Sequence, residues 1–237
     1  MTTKPLLSVC SIILYSQVCF SQSSNNSLSN WFDATIGKEN LSISNGFIAN
    51  EQYITNNSNL YFKDSKFSLG SVSYEDQFYA DLYINYDSYN DELLLKPNGT
   101  EDLKSIIVKK EYTSSFTFLG RNFVNLTYNK KTSENFLNGY FEEKIFDKNL
   151  ILYTKYAKTR SEKIDKNQLI SEFSSFNQFV ILHDGKYFKY SQSAIEQLFP
   201  DLKNQIKSFY SENSIIQKSD EKSFVEMLLE RINSLSK

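Results

Sequence analysis

Tyr83, Tyr86 and Tyr89 stand among Asp87, Asp91 and Glu92, the densest mixture of phenol rings and carboxylates in the chain. Carboxylate oxygens suit a hard cation such as calcium, and tyrosine faces suit a sugar ring. The spacing lacks the Asp-x-Asp/Asn-x-Asp/Asn-Gly run of a helix–loop–helix calcium site. Alternating residues on either side of 87–90 favour a hairpin turn instead. There Asp87 and Asn90 would satisfy turn backbone while the tyrosines cover the sheet. Tyr83, Tyr86, Asp87, Tyr89 and Asp91 are the candidate ligand-binding residues.

Other chemistries find less support. His183 is the chain's single histidine, so zinc catalysis through several imidazoles is excluded. It precedes Asp184-Gly185, a hairpin-tip pattern. No Gly-x-Ser-x-Gly or His-Glu-x-x-His occurs. The acid doublets Asp91-Glu92, Glu101-Asp102 and Glu142-Glu143 could serve a glycan hydrolase, which needs two cooperating carboxyls. Neighbours on a strand point to opposite faces, which counts against each doublet. No catalytic, cofactor-binding or metal-ligating residue is assigned. Charge is nearly balanced, with 26 Lys+Arg against 28 Asp+Glu, and the arginines are only Arg121, Arg160 and Arg231. Both features argue against nucleic acid. The glycines are scattered singly, so no phosphate-cradling loop is expected.

The N-terminus reads as an address. Lys4, an uncharged and mostly apolar run over 5–20, and small residues around Ser21 have the layout of a secretory signal peptide over 1–21. The apolar run is too interrupted for a spanning helix. Ser16-Gln17-Val18 departs from a lipobox, which disfavours a lipid anchor at Cys19. Cleavage would remove Cys10 and Cys19, the only cysteines, leaving a mature chain without thiol chemistry. No later segment is apolar and long enough to cross a bilayer as a helix.

The elements that must position any site follow from periodicity. Residues 22–40 are Ser/Asn-rich and read as a mobile lead-in. Residues 41–190 form short alternating runs punctuated by turn signals. Leu41 and Ile43 before Asn45-Gly46 suggest a hairpin, and residues 78–86 alternate over nine positions. Gly120-Arg121 suits a type II′ turn, and Asn138-Gly139, Asp147-Lys148-Asn149 and Asp184-Gly185 mark further turns. The charged stretch 159–168 reads as a solvated loop. About ten or eleven strands joined by tight turns imply antiparallel neighbours. From 191 to 237 the period becomes helical: Leu202, Ile206 and Phe209 form one stripe, and Phe224, Leu228, Ile232 and Leu235 another. The expected fold is therefore mainly β (α+β). An antiparallel meander forms a curved sheet or barrel-like body, with two or three C-terminal amphipathic helices packed on it.

Four pieces carry a resemblance. They are Phe20-Ser21-Gln22, the segment Tyr86-Asp87-Ser88-Tyr89-Asn90-Asp91-Glu92-Leu93, the 118–123 hairpin with Gly139-Tyr140-Phe141-Glu142, and Leu198-Phe199-Pro200-Asp201-Leu202-Lys203. The pattern resembles exported, uncharacterised proteins of Bacteroidota-type bacteria. That resemblance implies a periplasmic or envelope location and no particular activity. The residues themselves suggest a non-catalytic binding or adaptor protein for an apolar small molecule or a partner protein of the envelope. The motive is 19 Phe and 16 Tyr, more than a plain core needs. A carboxylate-dependent hydrolase acting on glycans is the alternative.

Overall fold

The structure is a computed structural model in which residues 35, 37, 40–50, 53–97, 104–128 and 134–236 are described. The expected signal peptide over 1–21 and most of the lead-in over 22–40 lie outside these residues. The body is one open antiparallel sheet of eleven strands: β1 (Phe47–Ile48), β2 (Ser68–Tyr74), β3 (Gln77–Asp87), β4 (Glu92–Lys96), β5 (Ile106–Ile107), β6 (Thr113–Phe118), β7 (Arg121–Asn125), β8 (Tyr140–Asp147), β9 (Leu150–Asp165), β10 (Gln168–His183) and β11 (Lys186–Lys189). About three helices close the chain: α1 (Gln192–Leu198), α2 (Lys203–Glu212) with α3 (Ser214–Ser219) continuing it after Asn213, and α4 (Glu221–Leu235).

The strand order is β1-β5-β4-β3-β2-β6-β7-β8-β9-β10-β11. It departs from a simple meander. Two meanders, β2 to β5 and β6 to β11, are fused through the β2–β6 pair. The connections β1–β2 and β5–β6 must therefore pass over other strands. Turn chemistry explains why the hairpins themselves form. Glu75-Asp76, Leu119-Gly120, Lys166-Asn167 and Asp184-Gly185 each hold two consecutive residues at positive φ. That is the type I′ geometry, whose twist matches the strands it joins.

Several local expectations are corrected. Asn45-Gly46 makes no hairpin, because residues Ser42–Ser44 form a 3₁₀ turn that buries Ile43 and Asn45 has φ −85°. Gly46 instead passes close to β5, where a Cβ would meet the Ile107 carbonyl oxygen at 2.0 Å. The β6–β7 turn is centred one residue earlier, at Leu119-Gly120, with Phe118 opposite Arg121. The alternation over 78–86 reverses phase. Phe78 is exposed and Tyr79 buried, whereas Leu82, Ile84 and Tyr86 are buried. A bulge at Asp81 (φ 53°), opposite the shift between Gly70 and Val72, inserts the extra residue. Finally, residues 159–168 are not a loop: β9 and β10 run through them in register to the Lys166-Asn167 turn.

Burial divides the core into three clusters. The first fills one part of the sheet with rings: Phe116 stacks on Phe123 at 4.8 Å, and Tyr86 and Tyr140 meet edge to face at 6.0 Å. Phe62 and Tyr156 pack against it. The second joins Leu150, Leu152, Phe179 and Ile181 of β9 and β10 to the helices. There α4 buries Phe224, Val225, Leu228, Leu229 and Ile232. Ser191 caps α1 through the Ala194 N–H, and Asp220 caps α4 through the Ser223 N–H. The third, with Phe141, Tyr153 and Val180, lies on strands β8 to β10.

Candidate functional site

The β3–β4 hairpin separates the five candidate residues. Tyr83 lies on β3 and is exposed. Tyr86 is fully buried, and its hydroxyl donates to Asp91 Oδ1 at 2.7 Å. Tyr89, in the turn, packs edge to face on Phe173 at 5.0 Å and on Tyr53 at 6.0 Å. Asp87 Oδ1 accepts the Tyr89 and Asn90 N–H groups, each at 2.9 Å, and Oδ2 accepts the Asn90 amide at 2.7 Å. Asp87 therefore spends its carboxylate on its own turn.

Asp91 points elsewhere. At φ 58° it turns its carboxylate toward Lys110 Nζ (2.8 Å), Lys155 Nζ (3.1 Å) and the Tyr140 N–H (3.2 Å). Lys155 also donates to the Asn138 carbonyl at 2.6 Å. Gly139 (φ 102°) makes room, since a Cβ there would lie 1.9 Å from Asp91 Oδ2. Two lysines and a phenol thus occupy the oxygens that a cation would need. Among the described residues, no group of three or more His, Cys, Asp or Glu gathers as a metal site.

The hairpin register creates one acid pair that adjacency in sequence conceals. Asp87 sits directly opposite Glu92. Opposed residues of an antiparallel pair share a face. Burial pushes both carboxyls above the ordinary range, and the Asp87 charge adds to the effect on Glu92. Hydrogen bonds from Asn90 and Tyr89 partly offset the rise at Asp87. The two acids line a cleft of about 50 Å³ with Tyr53, Leu60, Tyr61 and Asn90. A four-residue turn at 88–91 was the signal that would have paired them. The cleft has room for a few waters and no pyranose.

The other acids are held apart. Glu142 accepts from Arg121 at 2.7 Å and from the Tyr156 hydroxyl, and Lys222 of α4 approaches it at 3.4 Å. Glu143 turns to the other face, toward Tyr153 at 3.1 Å and Asn122 at 3.2 Å. Lys144 continues the first network to Glu226 and Glu230, both at 2.9 Å. These pairs tie α4 to the sheet. His183 ends β10 and packs on Phe199 with ring centroids 4.8 Å apart. Its Nδ1 is buried and finds no hydrogen-bond partner among the described residues.

Sequence reading missed a long run of exposed regular structure among the described residues. Each of residues 159–169 is exposed although all but the turn residues Lys166 and Asn167 belong to the β9–β10 ladder. Near its tip, Ile164 and Leu169 are direct cross-strand partners, 78% and 54% exposed. At its base, Thr55 bridges Ser171, and Lys158 donates to the Asn59 carbonyl at 2.6 Å. No family model, curated protein or solved structure matches this chain.

Proposed function

We propose that the chain is an exported, non-catalytic adaptor of the cell envelope that contacts a partner protein through the β9–β10 arm. One observation carries the reading: a regular hairpin projects with an apolar cross-strand pair at its end. In a two-stranded ribbon standing in water, Ile and Leu side by side gain only the small cross-strand contact, whereas a partner surface gives them burial. The aromatic residues that suggested an apolar-ligand cavity are accounted for by ring-on-ring packing in the first core cluster.

The body that carries the arm is read as barrel-like. β3 and β10 are six steps apart in strand order, which a flat sheet would set at about 29 Å. Yet Tyr61 bridges Asp87 of β3 while Thr55 bridges Ser171 of β10. Tyr86 of β3 and Tyr140 of β8, four steps apart, also bring their ring centroids within 6.0 Å. These contacts support a curled sheet that segment 53–62 straps.

Replacing Ile164 and Leu169 together by serine tests the adaptor reading. The double variant should melt like the parent, because both side chains are exposed, and should lose the envelope protein that co-isolates with the parent. Unchanged co-isolation would refute the role of the tip. The alternative, a glycan hydrolase, finds little support at the Asp87–Glu92 pair, whose cleft has no room for a pyranose. Hydrolysis of a glycan by the parent chain that disappears in Glu92→Gln would replace the adaptor assignment.

A further inference from the structure

The outer edge of β9 carries a pattern that its two-residue turn makes readable. In such a hairpin the residues flanking the turn, Asp165 and Gln168, form a hydrogen-bonded pair. Residues of the same parity, Lys163 and Ser161, then spend their backbone groups on β10. Arg160, Glu162 and Ile164 turn theirs outward. β8 pairs with β9 only as far as Thr154, and no described residue takes these outward groups. The segment is exposed from 159 to 165. An extended, solvent-facing ladder of unused N–H and C=O groups is a template for another strand.

We propose that this edge pairs antiparallel with the same edge of a second copy, about a two-fold axis through Ser161. An axis perpendicular to the sheet keeps like faces on one side, so only residues of equal parity can stand opposite each other. Centred on Ser161, the outward-turned Arg160 faces Glu162 of the second copy, and Glu162 faces the second Arg160. Lys158 faces Ile164, and Thr159 faces Lys163. A centre one residue earlier or later sets Arg160 against Arg160 or Glu162 against Glu162. Like charges directly opposed on neighbouring strands are destabilising. One register therefore combines available backbone groups with complementary charge. Within a single chain Arg160 and Glu162 already lie 3.0 Å apart, so the two charges are side by side on one face and ready to be shared across the axis. Arg160 is also steadied from above by the Tyr53 ring at 4.7 Å.

The proposal goes beyond the adaptor reading, because it uses the arm's edge and not its tip, and the two fail separately. The test is sedimentation of the mature chain and two charge reversals at about 0.1 mM, where weak self-association registers. The parent should be a dimer. Arg160→Glu alone opposes glutamates, and Glu162→Arg alone opposes arginines, so each should raise the self-dissociation constant about tenfold or more. Mixed in equal amounts, the two variants should form a heterodimer, because each then presents the opposite charge at both positions. Loss of the Tyr53 contact or of the pair within one chain cannot produce that rescue. A monomeric parent overturns the proposal, as do reversals that leave the mass of the dimer unchanged or a mixture that stays monomeric. Dimerisation abolished by Ile164→Ser with Leu169→Ser but indifferent to the charge reversals would assign self-association to the tip instead and likewise overturn it.

Discussion

At the scale of single residues, Asp91 and Gly139 are coupled. The carboxylate holds two ammonium groups, a phenol and a backbone N–H, and it can sit there only because residue 139 lacks a Cβ. Gly139→Ala faces both a positive φ and an atom 1.9 Å away, and should cost about 3 kcal/mol. Gly185→Ala shares the positive φ (75°) but meets nothing within 4 Å, and should cost about 1 kcal/mol. Urea denaturation of the two variants checks the contrast, and equal losses would show that the ion cluster does not depend on the missing Cβ. The turn role of Asp87 was legible from its residue type and from Asn90 three positions on. The burial of Asp91 against Lys110 and Lys155 was not, since those lysines come from distant parts of the chain.

Elements show where periodicity serves and where it misleads. Of the stripe Phe224, Leu228, Ile232 and Leu235, the first three are buried where α4 meets the sheet, while Leu235 at its end is 41% exposed. The phase of β3 was not readable, because one extra residue at Asp81 exchanges inside for outside. The arm was read as a loop because an exposed ribbon has no buried face. Its residues therefore carry charge on both sides and show no polar–apolar alternation. The β3–β4 hairpin makes a prediction in pH. The native state holds protons on Asp87 and Glu92 at pH values where the unfolded chain has lost them. Stability from these groups is thus full at and below the ordinary carboxylate range, and is lost as pH rises through their elevated values. Glu226 works in the opposite sense. Burial raises it, but hydrogen bonds and charge from Lys222 and Lys144 bring it below the usual value, so its contribution is lost only in stronger acid. Thermal melts taken from neutral pH down into the ordinary carboxylate range should show a gain for the parent that Glu92→Gln reduces. A Glu92→Gln variant with the parent's pH slope would contradict the pairing.

For the whole molecule, strand count and antiparallel pairing followed from the tight turns, whereas strand order did not. A long connection over 49–67 and a short one over 108–112 set β1 beside β5 and β2 beside β6, and no local signal in the chain announces which distant strands will meet. The same connectivity leaves β9 and β10 projecting past their neighbours, which is the basis for the adaptor reading. That reading is tested most directly by a photoreactive residue placed at position 164 in the native host. Position 215 serves as the control, because Ile215 is apolar and equally open at 81% exposed but lies on α3. The account predicts a discrete cross-linked envelope partner from 164 and none from 215. Cross-linking from 215 alone, or from neither position, would contradict it.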